Sequence, residues 1–263
     1  MPGRYLTSKN ISKVFGGVQA LQNVSFEVFR GEILGLIGPN GAGKTTLFNC
    51  LTGIYPPTCG EMILENSKRN LVGLKPPEVA RLGIARTFQN SRVFSGMTTL
   101  ENVMVGCHLW SHAGLGGALF AGKRVEKEEE EIIQNSLELL EFLELAPLAN
   151  TLASALPYGF QRRLEIARAM ATHPQLLLLD EPTCGMNPNE SKAIMEVIRK
   201  IRDREITVLI IEHDMKVIMG ISDRVICLDH GEKICEGPPQ VVQKDPKVID
   251  AYLGREEDAL RAE

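Results

Sequence analysis

Residues 38 to 45 read Gly-Pro-Asn-Gly-Ala-Gly-Lys-Thr, which fits the spacing G-x-x-x-x-G-K-[ST]. A run of this kind can wrap phosphate. Its glycines let successive backbone N–H groups turn inward. Lys44 brings a compact positive charge to the β- and γ-phosphates, and Thr45 offers a hydroxyl to Mg2+. An apolar run, Ile33 to Ile37, leads into the loop, and a helical pattern follows from Lys44 to about Leu51. Strand, loop and helix together are the context the motif requires, because a helix starting near Lys44 aims the positive end of its dipole at a bound anion. Gly38, Pro39, Asn40, Gly41, Ala42, Gly43, Lys44, Thr45 and Thr46 are therefore expected to hold a nucleotide.

The second constellation is Leu176 to Leu179 followed by Asp180 and Glu181. Asp180 suits a Mg2+ shell, reached through water. Glu181 suits a general base that orients and activates an attacking water. An acidic pair closing an apolar strand is common and says little alone. Beside a phosphate loop it completes the parts needed for phosphoryl transfer to water.

These residues need a frame that brings distant segments to one edge. Leu176 to Leu179 and Ile206 to Ile211 are continuous apolar runs, as in parallel strands covered on both faces. The stretch Pro188 to Arg204 between them is helical, which gives a βαβ rhythm. Residues 1 to 36 predict short strands broken at Gly16-Gly17 and Arg30-Gly31. Residues 56 to 60 predict a turn, Pro76-Pro77 a helix start and Gly83 its end. Val225 to Cys235 predicts a hairpin around Asp229-His230-Gly231. Between them, about residues 90–165, the pattern turns helical. From Arg124 to about Leu145, Val125, Ile132, Ile133, Leu137, Leu140 and Leu143 predict one buried face, with Glu128 to Glu131 on a solvated one. The Gly106 to Gly122 segment, with Trp110, is expected to pack locally, the alternatives being a surface excursion or a partner contact. The charged tail, 255–263, is expected to be a solvated helix or disordered.

Composition narrows the class. The chain has 263 residues and a net charge of −4. That balance argues against a general affinity for nucleic acid. No apolar run approaches the roughly 20 residues of a membrane-spanning helix, and MPGRYLTSKN carries no apolar signal segment. A cytoplasmic protein is expected, with any membrane role exerted through a partner. Six scattered cysteines without a CxxC pair predict free thiols. His108 and His112 lie one helical turn apart but have no third ligand nearby.

The order of these motifs resembles that of ATP-binding cassette (ABC) ATPases, over nearly the whole chain. Leu156-Pro157-Tyr158-Gly159-Phe160, with the helix that follows, resembles the family's LSGGQ signature. Gln89, in Arg86-Thr87-Phe88-Gln89, matches the Q-loop glutamine, which ligates Mg2+ and senses the membrane subunit. His213, in Glu212-His213-Asp214, matches the switch histidine that contacts the γ-phosphate. Gly185-Met186-Asn187 matches the D-loop, which crosses the dimer. Phe15 falls where the family stacks an aromatic on adenine. Each residue also has a plainer reading. His213 can cap a strand, Gln89 can be a surface amide, and Phe15 can belong to the core.

The resemblance implies an α/β P-loop NTPase fold: a mixed sheet, an N-terminal antiparallel β part and an inserted helical subdomain, in one domain over 1–263. It implies ATP and Mg2+ as ligands and a dimer in which one subunit's signature faces the other's ATP. Of LSGGQ only Leu156 and Gly159 survive. Pro157 replaces a serine that hydrogen-bonds the γ-phosphate across the dimer. Arg86-Thr87-Phe88-Gln89, Tyr158-Gly159 and the segments around His213 and Met219 are similar to LivG-type ATPases of branched-chain amino acid importers, whose signature carries the tyrosine. Such a subunit is expected on the cytoplasmic face of the inner membrane. Its partners would be transmembrane permeases, a second ABC ATPase in a heterodimer (the homodimer being the alternative) and, indirectly, a periplasmic binding protein. Related ATPases serve urea, amide and lipopolysaccharide systems. A soluble ABC protein of the ribosomal or DNA-repair kind fits less well, lacking a second cassette or a coiled coil. A GTPase lacks its NKxD motif here.

Overall fold

The computed structural model describes residues 3–88, 93–110 and 123–261. The chain starts with an antiparallel pair, β1 (Arg4–Phe15) and β2 (Val18–Phe29). Gly16 and Gly17 turn it at φ +51° and +93°. Positive φ at both central residues matches the twist of the flanking strands. The expected short strands are instead two of 12 residues each. Register shifts absorb the polar interruptions, with Asn10 and Asn23 left-handed at φ 50° and 51°.

β3 (Ile33–Ile37) is buried throughout and runs into α1 (Lys44–Leu51). β4 (Cys59–Leu64) pairs with β1, so the turn after Pro56 ends one residue before Cys59. β5 (Arg69–Asn70), α2 (Pro76–Arg81) and β6 (Ile84–Arg86) follow, with Gly83 at φ +84° between the last two.

Next come α3 (Thr99–Cys107) and α4 (Lys123–Phe142). α5 (Tyr158–Met170) packs on α3. A Cβ at Gly106 would sit 2.3 Å from the Arg168 carbonyl oxygen, so glycine permits the closest approach of α3 to α5. Ile132 and Leu140 face inward as expected, but Leu137 is exposed and Ser136 is fully buried, 3.7 Å from Cys107 Sγ. The phase of α4 follows its neighbour α3 rather than its own most apolar arc. Trp110 packs locally, donating to the Ala171 carbonyl at 2.8 Å and stacking on His173. The rest of the Gly106–Gly122 segment, with His112, lies outside the described residues.

The chain continues through β7 (Leu176–Asp180), α6 (Pro188–Asp203), β8 (Thr207–Ile211) and α7 (Met215–Ile221). β9 (Arg224–Asp229) and β10 (Glu232–Gly237) form the expected hairpin. α8 (Pro239–Val242) and α9 (Pro246–Arg261) close the described chain, so the charged tail is helical to Arg261.

Among the described residues, one sheet has the order β2-β1-β4-β5 and the other β10-β9-β3-β8-β7-β6. In the second, β9, β3, β8, β7 and β6 are parallel and only β10 is antiparallel. This register sets the site. Leu36 pairs with Ile211, and Ile211 with Asp180, so the loops that leave β3, β8 and β7 emerge side by side. In open parallel sheets, the carboxyl ends of strands are where ligands bind.

Candidate functional site

Three adjacent strand ends supply the predicted chemistry. After β3, Gly38 takes φ +144°, and a Cβ there would lie 2.1 Å from the Leu228 carbonyl oxygen. Gly43 takes φ +100°, and its Cβ would lie 2.6 Å from the Ala20 carbonyl oxygen. Glycine is demanded at both positions by backbone conformation and by space. The loop is fastened to the β9–β10 hairpin, since Gly231 N–H donates to the Ala42 carbonyl at 3.1 Å. Gly43 caps α1, and Lys44 opens it. Lys44 is only 9% exposed, and its ammonium donates to the carbonyls of Gly38 (2.5 Å) and Pro39 (3.0 Å). Asn40, Gly41 and Thr45 are exposed, Pro39 and Ala42 are buried, and Thr46 is half-buried. A bent loop of amides, a buried ammonium and a helix start fit a polyphosphate.

After β7, Asp180 is buried and pairs with Arg86 at 2.7 Å. The adjoining β6 delivers that arginine, which also donates to Asn49 on α1 at 2.6 Å. One Asp180 oxygen is thus engaged within the protein. Glu181 adopts φ +48°, a left-handed conformation that is uncommon outside glycine and asparagine. After β8, His213 is exposed, its Nδ1 3.8 Å from Glu181 Oε2 and 3.9 Å from Glu212 Oε2. Glu212 itself is buried and accepts from Thr183 N–H (2.8 Å) and Oγ1 (2.6 Å). Burial pushes its carboxyl up from the ordinary range. This clamp ties the loop carrying Glu181 to the segment after β8 that carries His213. The donors available for a divalent cation are hard oxygens, from the Thr45 hydroxyl and the Asp180 carboxylate, which fits Mg2+.

The signature residues sit at the start of α5. Leu156 is buried, and Pro157 caps α5 without a side-chain acceptor. The Tyr158 hydroxyl accepts from Arg162 Nε at 2.9 Å and Nη2 at 2.6 Å. Buried Arg162 also pairs with Glu165 and donates to the Phe88 carbonyl at 2.9 Å. Tyr158 approaches Gly185, where a Cβ would lie 3.7 Å from its ring. Gly159 sits on the first turn of α5. Met186 packs against the core, and Asn187 caps α6 by accepting from Asn189 and Glu190 N–H. Gln89 lies outside the described residues.

Sequence reasoning assigned no role to Arg86, Arg162 or Glu212. The signal was present in each case. Arg86 follows the apolar Ile84-Ala85, Glu212 follows the apolar Leu209 to Ile211, and Arg162 stands one helical turn from Tyr158.

Phe15 is 39% exposed at the end of β1. Its ring meets Tyr55 edge-on at 5.3 Å, with the Lys13 ammonium 4.9 Å from its centroid. Replacing Phe15 by alanine is expected to weaken MgATP binding by about 1–3 kcal/mol, the range for a base stacked on an aromatic. Calorimetric titration decides the point. Unchanged affinity with a lower melting temperature would return Phe15 to a packing role.

Residues 21–184 match the family described as ABC transporter, and residues 232–258 match one described as Branched-chain amino acid ATP-binding cassette transporter. The high-affinity branched-chain amino acid transport ATP-binding protein LivG of Salmonella typhimurium is 47% identical over 241 residues, covering 91% of this chain and 94% of that one. BraF of Pseudomonas aeruginosa, named for the same transport, is 43% identical with the same coverage. Among solved structures, an ABC-transporter cassette in its ADP conformation superposes with a TM-score of 0.84 at 34% identity, covering 96% of this chain and 99% of that one. A dimeric cassette bound to ADP and Pi has a TM-score of 0.74 at 29% identity, with 89% and 98% covered. The chain belongs to the ABC transporter family, as an ATP-binding subunit of the LivG type.

Proposed function

We propose that this chain hydrolyses ATP to drive the uptake of branched-chain amino acids through permease subunits that it does not itself replace. ATP hydrolysis coupled to transport is the activity of its family. The cargo reading rests above all on the match of residues 232–258 to the branched-chain family. The cassette is read as one ATPase domain, with about residues 90–165 as a helical subdomain. Mutual packing of α3, α4 and α5 supports that division.

In this reading the loop from Gly38 to Thr46 binds the phosphates, Lys44 neutralises their charge, and Phe15 meets the adenine. Mg2+, held by the Thr45 hydroxyl, Asp180 and Gln89, would neutralise charge developing on the phosphates. Glu181 takes the proton of the attacking water, and His213 contacts the γ-phosphate. The adjacency of β3, β8 and β7 supports this allocation.

Leu156, Pro157, Tyr158 and Gly159 would meet ATP held by a second subunit, with the loop of Gly185, Met186 and Asn187 crossing between the two. Pro157 has no hydroxyl to offer, which favours pairing with a different ATPase over pairing with a copy. The chain would work at the cytoplasmic face of the inner membrane, with a periplasmic binding protein upstream. An apolar cavity of about 510 Å³ lined by Ile54, Val79, Phe88 and Phe94 supports a permease contact on this face. No helix among the described residues is long and apolar enough to cross a membrane.

Proteoliposomes carrying the permeases, both ATPases and the binding protein test the function. ATP-dependent uptake of labelled leucine is expected, and it should cease when either ATPase is omitted. Uptake of urea or a short amide in place of leucine would change the cargo. Full uptake with this ATPase alone would overturn the heterodimer.

A further inference from the structure

One contact joins the two segments matched by different families. The Gly38 N–H, at the start of the phosphate loop, donates to the Tyr252 hydroxyl of α9 at 2.9 Å. The same peptide unit's residue is held from its other side, since the Gly38 carbonyl accepts from Lys44 Nζ at 2.5 Å. Gly38 takes φ +144° where a Cβ would lie 2.1 Å from the Leu228 carbonyl oxygen, so glycine is the residue that lets the backbone run this close to β9. We infer that Tyr252 is a positioning residue for the nucleotide: its hydroxyl holds the Gly38 backbone, and through Gly38 it sets where the Lys44 ammonium stands. The inference rests on the reading of residues 38–46 as the phosphate loop.

The geometry around Tyr252 supports a fixed placement. Its ring packs against the core cluster that includes Ile37 and Cys227. The start of α9 is anchored, because Asp245 accepts from Lys247 N–H at 2.8 Å and from Cys235 Sγ at 3.3 Å. Burial pushes the Tyr252 phenol up to about 12, so it stays neutral across the physiological range. A neutral hydroxyl can accept from an amide without placing a negative charge beside the phosphates. The C-terminal helix therefore reaches the ATP site of its own chain, and movement of α9 would be felt by Lys44.

Tyr252→Phe removes the oxygen and keeps the ring. Three measurements on the full chain test the idea: calorimetric Kd for MgATP, hydrogen exchange of the Gly38 amide by NMR, and melting temperature. Lys44→Ala is run alongside. For Tyr252→Phe, a Kd weaker by roughly two- to ten-fold is expected, the range for one neutral hydrogen bond, together with faster exchange at Gly38. A lower melting temperature with unchanged Kd would make Tyr252 purely structural and overturn the inference while leaving the phosphate loop intact. A weaker Kd with unchanged Gly38 exchange would overturn the route through that peptide. If Lys44→Ala binds MgATP as tightly as the parent chain, the loop assignment itself fails, and the inference with it.

Discussion

Lys44→Ala is expected to abolish measurable MgATP binding in a calorimetric titration and, with it, ATP hydrolysis. Lys44 is 9% exposed and opens the helix after a loop whose two fixed glycines leave amides as the other anion donors. Removing one partner of a buried, hydrogen-bonded charge pair costs roughly 2–5 kcal/mol, which is about thirty-fold or more in Kd. The loss has a specific cause. The ammonium stands beside the Gly38 and Pro39 carbonyls, to which it donates, and a phosphate offers it an anionic acceptor that these neutral carbonyls do not. Charge-assisted hydrogen bonds are roughly twice as strong as neutral ones. Lys44→Arg separates charge from shape: a bulky planar fork cannot occupy the space of a compact ammonium, so restored charge alone should give only partial recovery. Tight MgATP binding by the alanine variant would remove Lys44 from the site.

What the sequence disclosed and what it hid divide along a physical line. The strand–loop–helix around residues 38–46 was legible because local demands coincide there. Glycines stand where φ is positive, an apolar strand precedes them and a helix follows. The parallel core was legible because β7 and β8 are apolar on both faces. The Arg86–Asp180 pair was not legible, since it depends on β6 lying beside β7, a neighbour relation set by crossover connections. The Glu212–Thr183 clamp likewise joins residues 29 apart through the β7–β8 register. Long-range register is invisible to periodicity, which reports only which face of an element is apolar.

Even that report fails where a neighbour decides the face. Leu137 on α4 is exposed, while Ser136 is buried against Cys107 of α3. A small hydroxyl beside a thiol fits a tight helix contact that a leucine would overfill. Tyr252 was hidden for a related reason. It lies 214 residues from Gly38, and only the folding of α9 back over the sheet edge brings them together.

Glu181→Gln is expected to leave MgATP affinity near that of the parent chain and to lower hydrolysis by about a hundred- to ten-thousand-fold, the usual cost of losing a general base. The substitution preserves volume, so the backbone should follow the parent. That matters, because Glu181 is held at φ +48° by its own N–H donating to the Ile211 carbonyl at 3.0 Å. A non-glycine residue in this region costs of order 1–3 kcal/mol and persists only when its surroundings impose it. The surroundings here are the turn closed by Cys184 N–H on the Glu181 carbonyl and the Thr183–Glu212 clamp two residues on. Rigid mounting of a half-buried carboxylate just past β7, beside His213, suits a base that must not swing. His213 is the competing candidate, since its imidazole stands 3.8 Å from the same carboxylate. The two assignments separate cleanly. If Glu181 is the base, Glu181→Gln accumulates as an ATP-bound dimer on size exclusion, and His213→Ala keeps more of its turnover than Glu181→Gln does. Near-normal turnover by Glu181→Gln, with His213→Ala inactive, would transfer the role to the histidine.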